Sequence, residues 1–392
     1  MLSAASLLLN FPVPALHTWL DSYIGQSWRT MCAHIITETF GIVSLVVLCA
    51  VSGSLAKGSH ARGIRPAVAI ATALASLIVL TAPAGAEDWV RAFSIGQGLF
   101  VALSVAVAST KLFNFLGGIN FLRLPIRTLG NDHAVREAMT IIPAGMLTIA
   151  AFALLNILLD GIGVTNIHQT VSAIFTAPLS GLHDGLVLAL GYTGLSQTIW
   201  FFGVHGPNLL YSIEETIFSP AALANATAIA DGREPILIFT QSFFDAFSRI
   251  GGSGSTLSLC LAILIASRDG GARKLCLVAL LPALCNVNEP ILFGIPIVLN
   301  PVYAVPFLLV PLLQILTAWA ATLVGWLPIT IQPVNWTMPV FFSGYAATGS
   351  NAGIVMQLFN LGLGVAIYLP FVTLSDRLRS SQSKTSMHNL AL

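Results

Sequence analysis

One stretch, Cys285-Asn-Val-Asn-Glu-Pro-Ile-Leu-Phe-Gly-Ile-Pro-Ile-Val-Leu-Asn-Pro301, constrains this chain more than any other. It places one carboxylate, three asparagines and three prolines in sequence that is otherwise as apolar as a membrane span. Each proline removes a backbone donor and crowds the preceding turn, so Pro290, Pro296 and Pro301 cannot share one straight helix. The segment must be broken. Broken backbone at membrane depth survives only where protein or a water-filled cavity surrounds it, and an ionisable group there marks a candidate working site. Glu289 is therefore the leading candidate. A plainer reading puts Glu289 in an interfacial loop, capping a helix that begins with Pro290.

The argument needs a membrane, and composition supplies one. Of 392 residues 56% are hydrophobic and 8% charged, against roughly 25% charged in a soluble domain. Long runs without alternation select helices over outer-membrane strands, so the fold class is an all-α integral membrane protein. A net charge of +1 argues against a nucleic-acid partner. The cysteines (Cys32, Cys49, Cys260, Cys276, Cys285) show neither a CxxC pair nor metal-type histidine spacing. They read as buried thiols, with no metal and no cofactor expected.

Residues 1–10 are too short to cross a bilayer and lack a basic leader and cleavage site, which argues against a signal peptide. Residues 11–37 carry Trp19, Tyr23 and Trp28 among polar residues and suit the interface. Candidate spans fall near 39–56, 66–83, 93–113, 138–159 and 184–203, then near 255–267, 303–327 and 353–374. Loops 57–65 and 111–137 are basic, 84–92 is mixed and 160–183 has no Lys or Arg, so the basic loops and the basic tail are placed in the cytoplasm. The expected organisation is a scaffold of N-terminal spans over 1–183, a substrate-binding domain of broken helices over 184–375, and a tail over 376–392. The tetrapeptide Glu-Pro-Ile-Leu occurs at 234 and 289, weak support for an internal repeat.

Four constellations carry chemistry. Trp200-Phe-Phe-Gly-Val-His-Gly-Pro-Asn208 brings aromatic faces, a histidine and an amide together, a mixture that suits a neutral polyol; an interfacial aromatic belt explains it equally well. Gly251-Gly-Ser-Gly-Ser-Thr256 offers backbone amides and hydroxyls, without the lysine of a nucleotide loop, and equally resembles a helix-ending linker. Asn286, Asn288 and Glu289 supply amides and a carboxylate for sugar hydroxyls, and a carboxylate can accept the proton of a hydroxyl that attacks phosphorus. Asn335-Trp-Thr-Met-Pro339 with Phe341-Phe-Ser-Gly344 forms a further aromatic and polar break. Together they imply a hydrated cavity lined by interrupted helices.

Residues 198–208, 247–259 and 282–306 resemble the signature blocks of the lactose, cellobiose and diacetylchitobiose family of enzyme IIC, the membrane subunit of the sugar phosphotransferase system. Asn288-Glu-Pro-Ile-Leu-Phe-Gly-Ile-Pro-Ile-Val-Leu-Asn-Pro301 is the specific block; Phe202-Gly-Val-His-Gly206, the glycine cluster, Trp336-Thr-Met-Pro339 and Ser343-Gly344 follow the expected pattern, and weaker similarity includes Leu8-Leu-Asn-Phe-Pro-Val-Pro14. The resemblance implies a multi-pass protein of the bacterial inner membrane, with about ten transmembrane helices, two re-entrant hairpins and a homodimeric assembly. Such a permease takes in a disaccharide and presents its 6-hydroxyl to a phosphocysteine on enzyme IIB. By the same resemblance Glu289 (the base) and His205 are catalytic, and Trp200, Asn208, Gly252, Gly254, Ser255, Thr256, Asn288 and Trp336 join them in binding sugar.

Three departures stand out. Similarity to the family's first span enters part-way through it, so that helix reads as shortened. Arg249 stands where the family has an uncharged residue; with Asp245 at i,i+4 it either forms a pair or alters substrate choice. Pro207 replaces a small residue. No phosphorylatable cysteine loop is present, so the phosphoryl donor belongs to another polypeptide. The alternatives are a non-phosphorylating secondary transporter or facilitator of sugars, with Glu289 or Asp245 carrying a proton, and an inactive shortened remnant.

Overall fold

The computed structural model describes residues 14–58, 66–81, 98–124, 139–179 and 185–390, with isolated positions 5, 8, 9 and 93. Most of the loops used above to set orientation, and the first ten residues, lie largely outside the described residues. Two helices come first, α1 (Pro14–Ile24) and α2 (Ser27–Gly41), over the segment that the sequence suggests is interfacial. Asp21 ties them by accepting from Trp28 Nε1 at 2.9 Å and Arg29 Nη2 at 2.8 Å.

The chain forms two compact units, residues 37–177 with 207–211, and residues 1–36, 178–206 and 212–392. The former is built from α3 (Val43–Lys57), α4 (Pro66–Thr81), α5 (Gly98–Gly118), α6 (Ile142–Gly161) and α7 (Ile167–Thr176). Small residues hold α4 against its neighbours: Ala69, Thr72, Ala73 and Ser76 form one buried stripe. A Cβ on Gly145 of α6 would come within 3.1 Å of Thr72 Oγ1. Close backbone approach of this kind replaces the hydrophobic drive that lipid removes. The hydroxyls bond their own helix, Thr72 to the Val68 carbonyl and Ser76 to the Thr72 carbonyl, both at 2.8 Å. Helix α7 falls where the sequence suggests only a loop; Asn166 caps it by accepting from His168 N and Gln169 N.

The other unit contains α8 (Gly185–Phe201), a π-helical turn at Glu214–Phe218, α9 (Ser219–Ala230), α10 (Gln241–Phe247), α11 (Thr256–Ala266), α12 (Gly270–Leu284), α13 (Glu289–Gly294), α14 (Pro301–Leu323), α15 (Phe342–Thr348) and α16 (Asn351–Leu390). Helices α5, α6, α14 and the Asn351–Arg379 part of α16 are long and apolar enough to cross a membrane. The two Glu-Pro-Ile-Leu copies differ: the one at 289 begins α13, whereas 233–240 carries no helix. The basic tail is drawn into the end of α16 instead of forming a separate segment.

A helix that stops at membrane depth leaves carbonyl oxygens without partners, and these need hydrogen-bond donors from within the protein. Helix α16 supplies the donors for α10. Gln357 Nε2 donates to the Ala246 carbonyl at 2.7 Å, and Asn360 Nδ2 to the Phe247 carbonyl at 2.9 Å. Gln357 Oε1 accepts from Phe341 N at 2.8 Å and Gly344 N at 3.0 Å, so one side chain serves two breaks. Farther along, Tyr368 OH donates to the Gly254 carbonyl at 2.6 Å.

Candidate functional site

The break at 285–301 follows the proline arithmetic. Helix α12 ends at Leu284, α13 runs for six residues with Pro290 in its first turn, and Pro301 opens α14 behind the N-cap Asn300. The plainer reading, in which Glu289 caps a helix beginning at Pro290, is met only in part: Glu289 is the first residue of α13, and the N-cap position is Asn288, which makes no side-chain cap bond. Glu289 does not sit at an open rim: it is half-buried, and its Oε2 is buried without a hydrogen-bond partner. Burial without a partner costs about 1–3 kcal/mol for a neutral group and more for a charge, so such an atom is a place for a ligand hydroxyl.

Four non-glycine residues have positive φ among the described residues: Ser255, Asn286, Leu299 and Phe341. Every one falls in the glycine cluster, the 285–301 block or the 335–344 break. Backbone in this region costs of order 1–3 kcal/mol per residue and persists only where surroundings over-determine it. Asn286 shows how. Its Oδ1 accepts from Gly251 N at 2.9 Å and its Nδ2 donates to the Trp336 carbonyl at 2.6 Å, so one side chain joins three constellations. Asn288 Nδ2 donates to the Ser253 carbonyl at 3.0 Å. A Cβ on Gly252 would lie 2.5 Å from Asn288 Cγ, and one on Gly254 2.2 Å from Phe307 Cε2, which is why both positions are glycine.

The first constellation joins the same place. The Trp200 and His205 ring centroids lie 4.7 Å apart, and Trp200 reaches Phe293 at 6.5 Å, one turn beyond Glu289 on α13. Leu299 N donates to the Phe201 carbonyl at 3.0 Å, zipping the end of α8 to the loop before α14. Trp200 Nε1 and Ser196 Oγ are buried without hydrogen-bond partners, adding a donor and a hydroxyl to the unpartnered Glu289 oxygen. The Trp336 side chain is 37% exposed while its carbonyl is held by Asn286.

The glycine cluster takes a different part from the one its sequence suggests. Thr256 Oγ1 donates to the Gly251 carbonyl at 2.6 Å, and Ser255 Oγ pairs with Ser258 and accepts from Gln314 Nε2 at 2.9 Å. Both residues are fully buried. Their hydroxyls are spent within the protein, that of Thr256 on the loop and that of Ser255 on Ser258 and Gln314, as is the Asn288 amide, so these residues shape the site. Asn208 lies in the short helix Gly206–Leu209 that follows His205. The Asn286 amide, read from the sequence as a group for sugar hydroxyls, is instead bonded to Gly251 N and the Trp336 carbonyl; Gln314, Gln357 and Asn360 were not singled out, because a lone amide in an apolar run carries no local signal.

Arg249 is paired. Its Nη1 donates to Asp245 Oδ1 and to Glu214 Oε1, each at 2.8 Å, and Nη2 donates to Tyr192 OH at 2.6 Å. Tyr192 OH in turn donates to Glu214 Oε2 at 3.2 Å. The expected i,i+4 pair is present, and the π-helical turn brings a second carboxylate that spacing gave no way to see. The guanidinium fork is consumed, which removes Arg249 as a free cation for a ligand.

Comparison with known proteins identifies the family. The family described as "Phosphotransferase system, EIIC" matches residues 1–311. The lichenan permease IIC component of Bacillus subtilis is 31% identical over 387 residues, covering 94% of this chain and 84% of the relative. The cellobiose-specific EIIC component of Geobacillus stearothermophilus is 29% identical, covering 96% and 87%. The lactose-specific EIICB component of Staphylococcus aureus is 25% identical, covering 96% of this chain and 67% of the relative. Among solved structures, the transporter ChbC, the IIC component of the N,N'-diacetylchitobiose-specific phosphotransferase system, is similar with TM-score 0.50 and 25% identity, covering 98% and 92% of the two chains. The chain therefore belongs to the EIIC family of the phosphotransferase system, the membrane permease components of sugar uptake.

Proposed function

We propose that this protein carries a disaccharide of the cellobiose, lichenan-fragment or lactose type across the bacterial inner membrane as a homodimer, and presents the sugar's 6-hydroxyl to a phosphocysteine on a separate enzyme IIB. The observation that carries the reading is the unpartnered, buried Glu289 Oε2 at the helix break. In the proposed step Glu289 accepts the hydroxyl proton as that oxygen attacks phosphorus; the new O–P bond forms while the P–S bond breaks, and the cysteine leaves as thiolate. His205 holds the same hydroxyl, Trp200 and Trp336 take the apolar faces of the sugar rings, and Asn208 supplies a directional hydrogen bond. Gly252, Gly254, Ser255, Thr256 and Asn288 fix the shape of the wall against which the sugar rests.

The test is uptake into vesicles loaded with the phosphorelay proteins. Accumulation of sugar phosphate that needs phosphoenolpyruvate supports the reading; free sugar delivered without it removes the phosphoryl step. One observation favours a second reading, transport of free sugar coupled to a proton: Asp245 Oδ2 is buried without a partner beside a carboxylate-rich cluster. In that case a protonophore stops uptake and the Asp245→Asn variant no longer responds to it.

A further inference from the structure

Arg249 stands at the junction of α10 and the glycine cluster, and its backbone serves both. Its N donates to the Phe244 carbonyl at 3.0 Å, and its carbonyl accepts from Gly252 N at 2.9 Å. The residues that follow brace the wall carrying Glu289: Gly251 N donates to Asn286 Oδ1 at 2.9 Å, and the Ser253 carbonyl accepts from Asn288 Nδ2 at 3.0 Å. Helix α13 starts at Glu289, directly after Asn288. The loop that Arg249 opens therefore sets where the Glu289 carboxylate stands.

The Arg249 side chain gathers three elements: Asp245 on α10, Glu214 in the π-helical turn and Tyr192 on α8, at 2.8, 2.8 and 2.6 Å. The side chains of Arg249, Glu214 and Asp245 are 14%, 8% and 2% exposed, so water does little to loosen these bonds. Spacing of four residues puts Tyr192, Ser196 and Trp200 on one face of α8, and the Trp200 ring meets that of His205 at 4.7 Å. The far end of α8 is held separately, by Leu299 N on the Phe201 carbonyl. Tyr192 and Phe201 stand about 13 Å apart along the helix. Apolar packing has no direction of its own, whereas hydrogen bonds at two separated points fix both the roll and the tilt of a helix. A planar guanidinium fork suits the task, since it holds its partners in set directions where an ammonium is a point charge.

We propose that Arg249 is a positioning residue for phosphoryl transfer, touching no part of the sugar: it locks α8, which carries Trp200 and leads into His205, in register with the loop that fixes Glu289. This role rests on the reading above, in which Glu289 and His205 share one sugar hydroxyl; the lock makes both groups converge on a single oxygen. With the lock cut they no longer converge, and misplacement by about 1 Å can cost on the order of 100-fold in rate.

The experiment uses the purified full chain, with calorimetric binding of cellobiose and of its analogue lacking the 6-hydroxyl that is phosphorylated, together with single-turnover phosphoryl transfer. The wild type is expected to favour cellobiose over the analogue. Tyr192→Phe deletes only the hydroxyl held by Arg249 and Glu214, and Arg249→Gln removes the fork. In both, the affinity for cellobiose should fall to that of the analogue, whose own affinity is unchanged, and transfer should slow, by about 10- to 100-fold in Arg249→Gln. Arg249→Lys, with the charge but not the fork, should stay impaired. If Arg249→Gln does not fold, because two buried carboxylates lose their cation, Glu214→Gln/Asp245→Asn/Arg249→Gln removes all three charges and carries the same expectation. Equal weakening of both sugars would make Arg249 a purely structural residue, and full transfer in Arg249→Lys would mean that charge alone suffices; either overturns the proposal. Preference and transfer kept by the variants would sink the role of Arg249 and leave Glu289 and His205 in place, whereas a wild type that binds both sugars equally would sink the shared hydroxyl and this role with it.

Discussion

The unit built on residues 37–177 and the unit that carries α8 to α16 solve one problem in two ways. Both must satisfy polar groups where lipid offers no hydrogen bonds. In the first, the buried hydroxyls of Thr72, Ser76 and Thr148 bond carbonyls four residues back in their own helices, and Asn156, donating to the Leu80 carbonyl at 2.6 Å, links two helices. In the second, amides of Asn286, Gln314, Gln357 and Asn360 cross between elements, and those of Asn286, Gln357 and Asn360 serve backbone at helix ends and breaks. Self-satisfied helices make a scaffold that tolerates change; cross-satisfied breaks make a shaped interior in which each partner depends on another.

The largest contrast should come from Glu289→Gln. It keeps the shape of the side chain and removes the base, so phosphoryl transfer is expected to fall by about 10²–10⁴, with sugar binding measured by calorimetry retained. Unimpaired transfer would take Glu289 out of the mechanism. Next is a pair of glycines. Gly254→Ala, at φ +74° and against Phe307, should destabilise by about 3 kcal/mol or more, seen in thermal unfolding and loss of binding. Gly161→Ala at the end of α6, where no described atom lies within 4 Å of the added methyl, should change little, and equal effects at the two positions would erase the distinction between the units.

Smaller effects sharpen the same comparison. Asn360→Ala removes the donor to the Phe247 carbonyl and should cost about 1–3 kcal/mol. Its mark is increased hydrogen exchange around 244–250, because the orphaned group lies on α10 and not on the mutated helix. Ser76→Ala deletes a hydroxyl whose carbonyl partner belongs to its own helix and is expected to stay within about 0.5 kcal/mol. A loss above 1 kcal/mol there would mean that the scaffold also relies on bonds between helices.

How much of this was legible follows from where the signals are dense. Pro290, Pro296 and Pro301 forced a break visible in the sequence, and Gly251–Gly254 announced a loop, because both residue types act on their own backbone. What joins these segments was not legible. Gln357 and Asn360 are single amides in an apolar run, and their partners lie 111 and 113 residues away. Glu214 reaches Arg249 only because a π-helical turn places it there. Ser255 and Thr256 looked like ligand donors since sequence shows a hydroxyl but not whether the protein has already used it. Helix α7 was hidden for another reason: the absence of Lys and Arg was used to set orientation, while its cap at Asn166 and the apolar face of Ile167, Val171 and Ile174 went unread.

The amides on α16 also impose an order in time. At 5–20 residues per second, the carbonyls of Ala246 and Phe247 leave the ribosome on the order of ten seconds before Gln357 and Asn360 exist to meet them. Until then the nascent α10 has to stay in hydrated surroundings or against the insertion machinery, and the last long helix acts as the clasp of the domain. A stalled chain ending near residue 340 should therefore be cut by added protease around 246–256, whereas one long enough for α16 to insert should resist; equal cleavage of both would show that the domain closes without it.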